Sequence, residues 1–97
     1  MGGTGKTPHT EYLIRLLKDE YELASLSRGY GRKTTGYQYA APHASSEQIG
    51  DEPAQYKNKF DKELHVAVDE DRVRGMVHLL GEHESIDVVL LDDSYQH

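Results

Sequence analysis

The chain has 97 residues, room for one domain and too few for two. Eleven Lys and Arg against 17 Asp and Glu give a formal net charge of -6, which argues against nucleic acid as a partner because a phosphate backbone selects basic surfaces. Apolar residues make up only 36% of the chain, so the core is expected to be thin, and the lack of cysteine removes disulfides, thiolate nucleophiles and Cys-based metal sites.

In chain order, the first element is a glycine-rich loop, Met1-Gly2-Gly3-Thr4-Gly5-Lys6-Thr7-Pro8. Glycines let successive backbone N–H groups converge on phosphate oxygens, Lys6 supplies a charge for the β- and γ-phosphates, and the Thr7 hydroxyl is suited to ligate Mg²⁺. The pattern therefore points to ATP and Mg²⁺, with Gly2, Gly3, Thr4, Gly5, Lys6 and Thr7 as the cradle. The complete motif asks for one more glycine just before Met1 and a buried strand feeding the loop, and neither lies within these residues. A chance Gly-rich turn ahead of a helix is the bland alternative.

Residues 8–20 read as an amphipathic helix, with Tyr12, Leu13, Leu16 and Leu17 recurring at helical spacing opposite Glu11, Arg15, Lys18 and Asp19. Pro8 suits its first turn, and its dipole adds positive potential where phosphates would sit. Leu23–Ser27 reads as a short strand running into Arg28-Gly29-Tyr30-Gly31-Arg32. Residues 33–49 read as an excursion over the sheet, with a hairpin strand near Gln38–Ala41. A helix is expected from Asp51 to Lys59, a strand over Leu64–Val68, a helix over Asp69–Leu80 with Val73, Met76, Val77 and Leu80 inward, and a last strand over Ile86–Leu91 buried on both faces. Alternating strands and helices of this length call for a mostly parallel α/β sheet. No apolar run approaches the ~18–20 residues of a membrane-spanning helix, and no basic and apolar leader follows Met1.

The last strand runs into Asp92-Asp93, where a nucleoside triphosphatase needs a carboxylate to hold Mg²⁺ or its water shell; two solvated turn residues are the alternative. Asp51 and Glu52 sit at a loop-to-helix junction, where acidic residues also serve as caps and dipole partners. Arg28 and Arg32 are suited to phosphate, since guanidinium binds it bidentately, or they are exposed loop charges. His43, His65, His78 and His83 show no metal spacing and read as surface side chains, whereas His9 adjoins the loop and His97 ends the chain.

Taken in order, Gly2–Pro8, Leu26-Ser27-Arg28-Gly29-Tyr30-Gly31-Arg32, Gly50-Asp51-Glu52-Pro53, Asp71-Arg72 and Asp92-Asp93-Ser94-Tyr95-Gln96-His97 resemble the tetraacyldisaccharide 4'-kinase family of lipid A biosynthesis. The resemblance runs from Met1 to His97. It implies a P-loop NTPase-like α/β fold, a mostly parallel sheet flanked by helices. It implies transfer of the ATP γ-phosphate to the 4'-hydroxyl of an acylated glucosamine disaccharide 1-phosphate, at the cytoplasmic face of the bacterial inner membrane. Asp51 takes the role of base on the sugar hydroxyl, with Lys6, Asp92, Asp93, Gln96 and His97 as further catalytic residues. Thr7 and Asp92 become the metal ligands, and Arg28, Arg32 and Glu52 candidate substrate contacts. Family members usually carry Gly at the position of Ser94 and often Phe at Tyr95, and they are considerably longer. A membrane-associating N-terminal helix, the strand before the loop and a C-terminal half with the histidine partner of the base are expected outside residues 1–97. The chain reads as a partial P-loop kinase domain, soluble and inactive in isolation. Two other readings compete. A deviant-loop ATPase switch would carry a lysine where Met1 stands, and an inert chain would keep the loop's shape without turnover.

Overall fold

In the computed structural model, which describes residues 9–92, β-branched and apolar stretches alternate with amphipathic helices. The elements are α1 (His9–Leu17), β1 (Leu23–Ser27), β2 (Gln38–Tyr39), α2 (Ser46–Ile49), α3 (Asp51–Phe60), a 3-10 turn (Asp61–Glu63), β3 (Leu64–Val68), α4 (Arg72–Glu82) and β4 (Val88–Asp92). The strands form one sheet in the order β2-β3-β1-β4. β1 pairs in parallel with β3 and β4, and β2 lies antiparallel to β3. The expected mostly parallel α/β sheet and the short strand near residue 38 are both present.

Because side chains alternate across a strand, the register divides the core in two. Leu23, Leu64, Val66 and Val68 point to one face and pack with Ile14, Ile49, Tyr56 and Phe60. Ala24, Leu26 and Ala67 point to the other and meet Leu79. Each large side chain fully buried here contributes about 1.5–3 kcal/mol relative to exposure. The second face has small residues on β1 and β3 because α4 comes very close: a Cβ on Gly75 would stand 2.9 Å from Leu26 Cδ1.

That close approach turns α4 differently from the expectation. The helix starts at Arg72, capped by the Asp71 carboxylate, which accepts from the Arg74 N–H at 3.1 Å. Gly75 and Leu79 face the sheet with Met76 beside them, while Val73, Val77 and Leu80 lie outward, Val73 at 71% exposure. α1 is corrected in the same way: Ile14 is its buried residue, and Tyr12 and Leu16 are exposed. β4 is not buried on both faces. It is an outer strand of the described sheet and its side chains are half-buried, with Leu91 exposed. Among the described residues no helix is long and apolar enough to cross a membrane.

Candidate active site

β3 and β4 flank β1 on opposite sides, so the chain leaving β1 and the chain returning to β4 diverge at the C-terminal end of β1. In open α/β sheets such a divergence opens a crevice beyond the strand ends, which is where ligands bind. A cleft of about 310 Å³ lies there, walled by Ser27, Arg28, Gly29 and Tyr30 from the end of β1, by Asp51, Glu52 and Pro53 from the start of α3, and by Asp92 from the end of β4. Three of the carboxylates singled out from the sequence thus meet in one recess. The register puts Ser27 opposite Asp92, so both side chains rise on the face that carries α3.

Two glycines make this geometry. Gly29 has φ +71° and Gly50 has φ +96°, in the left-handed region that disfavours a side chain. They also touch: a Cβ on Gly50 would stand 3.0 Å from the Gly29 carbonyl carbon, and one on Gly29 would stand 2.8 Å from the Ile49 carbonyl oxygen. Gly50 occupies the N-cap position of α3, and no side chain caps this helix. Asp51 is therefore not a cap. It lies exposed at the first helical position, at the rim of the cleft.

Glu52 is half-buried and its carboxyl is pushed up from its ordinary range, first by burial and then by the neighbouring Asp92 carboxylate. Burial, followed by the charges of Glu52 and Asp92, also pushes up the Tyr56 phenol. The buried Tyr56 hydroxyl has no hydrogen-bond partner among the described residues. Two carboxylates set side by side in a partly buried recess are a place where a cation would be stabilised. Among the described residues no three ligating side chains form a metal cage. Mg²⁺ does not need one, since it is commonly held by one or two carboxylates together with substrate phosphates, and the Asp92 and Glu52 oxygens fit that donor set.

The two arginines part company. Arg28 is exposed, faces the cleft, and donates through Nη1 to the Glu70 carbonyl at 2.7 Å. On its other side lies a second recess of about 440 Å³, with Leu26, Asp69, Glu70, Arg72 and Val73 in its walls. The Arg32 side chain is only 3% exposed, takes no part in the cleft wall, and forms an ion pair with Glu70. Its expected role as a substrate contact is corrected: its guanidinium is consumed inside the protein. Gly2, Gly3, Thr4, Gly5, Lys6, Thr7, Asp93, Gln96 and His97 lie outside the described residues.

Ser27, Tyr30 and Pro53 were not singled out as cleft residues, and only their adjacency to the Arg28 and Asp51 blocks hinted at them. The sequence places Asp69 and Glu70 at the start of a helix, whereas they form the turn after β3. The buried Asp69 carboxylate receives Arg74 at 2.6 and 2.9 Å and the Asp71 N–H at 2.9 Å, which hold it below the usual carboxylate range, Arg74 first. Three of the four histidines taken as surface groups are engaged. His65 joins Tyr39 and Glu22 at 2.6 Å each, His83 stacks on Tyr39 with centroids 4.3 Å apart, and His78 stacks on Tyr37.

Comparison with known proteins gives a consistent result. The sequence model of the family described as Tetraacyldisaccharide-1-P 4'-kinase matches residues 1–97. Proteins named tetraacyldisaccharide 4'-kinase from Parabacteroides distasonis and Flavobacterium johnsoniae are 57% and 50% identical over the whole chain. The chain spans 27% and 28% of their lengths. A crystal structure of LpxK from Aquifex aeolicus in complex with ATP superposes with a TM-score of 0.76 at 40% identity, covering all of this chain and 31% of that one.

Proposed function

Because the chain belongs to the tetraacyldisaccharide-1-P 4'-kinase family, we propose that it carries the nucleotide site and catalytic carboxylates of a kinase that moves the ATP γ-phosphate to the 4'-hydroxyl of an acylated glucosamine disaccharide 1-phosphate. The observation that carries the proposal is the cleft at the ends of β1 and β4. Asp51, at the start of α3, and Asp92, at the end of β4, face the same recess of about 310 Å³. A kinase needs this arrangement of one carboxylate for the metal and another for the acceptor hydroxyl.

In this reading Gly2–Thr7 wrap the ATP phosphates and Lys6 neutralises charge that builds on the β- and γ-phosphates. Asp92 and Thr7 would hold Mg²⁺, which draws charge from the phosphate oxygens. Asp51 takes the proton of the 4'-hydroxyl as its oxygen bonds to the γ-phosphorus, while the bond from that phosphorus to the β–γ bridging oxygen breaks and ADP departs. The exposure of Asp51 suits a base that must meet an incoming acceptor, and Arg28 beside it suits an anionic group of the lipid. Asp93, Gln96 and His97, following β4, complete the proposed site. The lipid acceptor calls for work at the cytoplasmic face of the inner membrane. An ATPase switch is not favoured, since it has no use for a second carboxylate aimed at an acceptor.

The test is transfer of labelled γ-phosphate to the tetraacyl disaccharide 1-phosphate by the purified protein in its full-length context. Lys6→Ala is expected to lower turnover by about 10²-fold or more at saturating ATP, as loss of a preorganised charge at a developing phosphate does. Near-normal turnover in that variant would overturn the assignment of the loop.

A further inference from the structure

Asp51 makes no side-chain hydrogen bond or ion pair in the described structure, so its aim depends wholly on its backbone. The residue before it, Gly50, is wedged against Gly29 and Tyr30, with no space for a Cβ. Whatever fixes the loop after β1 therefore fixes Asp51. Arg32 stands at the centre of that loop, and its buried guanidinium makes two hydrogen bonds and an ion pair. Nε donates to the Arg28 carbonyl at 3.1 Å and Nη1 to Thr34 Oγ1 at 3.1 Å. Nη2 lies 3.0 Å from Glu70 Oε2, an ion pair off the ideal hydrogen-bond line. Thr34 passes the tie onward by donating to the Gln48 carbonyl at 2.5 Å, two residues before Gly50. Glu70 is itself anchored, accepting from the Gly36 N–H at 2.9 and 3.1 Å and from Arg74 at 3.3 Å.

We infer that Arg32 and Glu70 are a positioning pair for the base: they clamp the loop after β1 between the end of β3 and the segment 47–50, and through the Gly29–Gly50 contact they set where Asp51 stands in the cleft. Neither residue lines the cleft. Their joint effect is on the geometry of proton removal, to which rates are steep, since a misplacement of about 1 Å costs as much as 10²-fold. A guanidinium is required because its planar fork meets a carbonyl, a hydroxyl and a carboxylate at once, which a lysine ammonium on a flexible stem does not.

The inference rests on the kinase reading of the cleft, and its test separates the two. Arg32→Lys keeps the charge and loses the fork, and Glu70→Gln keeps the shape and the acceptor for Gly36 while losing the ion pair. Lys33→Ala, in an exposed side chain, is the control. Amide hydrogen exchange across residues 47–54 is measured on each purified variant, and kcat and KM for ATP are measured for the same variants in the full-length protein. Arg32→Lys and Glu70→Gln are expected to accelerate exchange in that segment and to lower kcat about 10- to 100-fold, with KM for ATP changing less than about twofold. The double variant should lose little more than the worse single one, because both break the same clamp. Unchanged exchange in both variants overturns the clamp. Faster exchange with unchanged kcat overturns its positioning role, as does a loss spread equally over kcat and KM. If Arg32→Lys does not fold, Glu70→Gln decides alone. Full-length wild-type protein without any transfer would sink the kinase reading, and the exchange measurement would still judge the clamp.

Discussion

The two ends of the parallel strands treat their acidic side chains in opposite ways. At the N-terminal end, Glu22 is fully engaged: Ser85 donates to it at 2.7 Å, His65 meets it at 2.6 Å, and His65 in turn reaches Tyr39. Ser85 and then His65 hold its carboxyl below the usual range. At the C-terminal end, Glu52 has Asp92 for a neighbour, and burial with that like charge pushes its carboxyl up. One glutamate stabilises the fold as an anion and the other is strained by being one. The lesson is that an acidic cluster which a protein leaves uncompensated marks where something outside the chain completes the charge balance, and the family to which this chain belongs handles a triphosphate.

The largest effect is expected at the open end. Asp51→Asn removes the proposed base and breaks no hydrogen bond in the described structure, so turnover should fall by about 10²- to 10⁴-fold while the melting temperature moves by no more than a degree or two. Turnover that survives the substitution would take Asp51 out of the mechanism. Asp92→Asn should act through the cation, raising the Mg²⁺ concentration for half-maximal rate several-fold. A rate loss that added Mg²⁺ does not relieve would count against Asp92 as a ligand.

The smallest effect is also the sharpest comparison, because one chemical change is expected to move stability in opposite directions at the two ends. The folded pKa of Glu52 lies above its ordinary 4.5, so its favourable share of stability is present below that value and is lost as pH rises through the folded pKa. At pH 7, without nucleotide or Mg²⁺, Glu52→Gln should therefore raise the melting temperature by a few degrees. The folded pKa of Glu22 lies below 4.5, so its share is present above that value and lost as pH falls through the folded pKa. Glu22→Gln should lower the melting temperature at pH 7, and the difference from wild type should shrink in acid. Thermal melts of both variants from pH 3 to 8 decide the matter: shifts of the same sign would erase the distinction between the two ends.

The sequence by itself determined what local chemistry can encode. The β-branched apolar run Leu64–Val68, the apolar run after Ile86 and the helical stretch between them yield an alternating α/β order without reference to long-range contacts. The Arg28–Arg32, Gly50–Pro53 and Asp92 blocks singled out the residues that line the cleft, because glycines and clustered charges are rarely placed without a backbone or ligand reason. Which face each helix turns inward was decided only by the tertiary structure. The row through Val73, Val77 and Leu80 is as apolar as the one through Gly75 and Leu79, and only the absence of a Cβ at Gly75, facing Leu26 across the interface, lets α4 settle on the second. Arg32 shows the same limit for charge. In the sequence it matches Arg28, another guanidinium in a glycine loop, and what separates a phosphate ligand from a buried clamp is a carboxylate 38 positions further on, brought to 3.0 Å by the pairing of β1 with β3. Composition and spacing specify which groups exist and how far apart they lie along the chain, whereas desolvation and ion pairing depend on distance through space, which strand register alone sets.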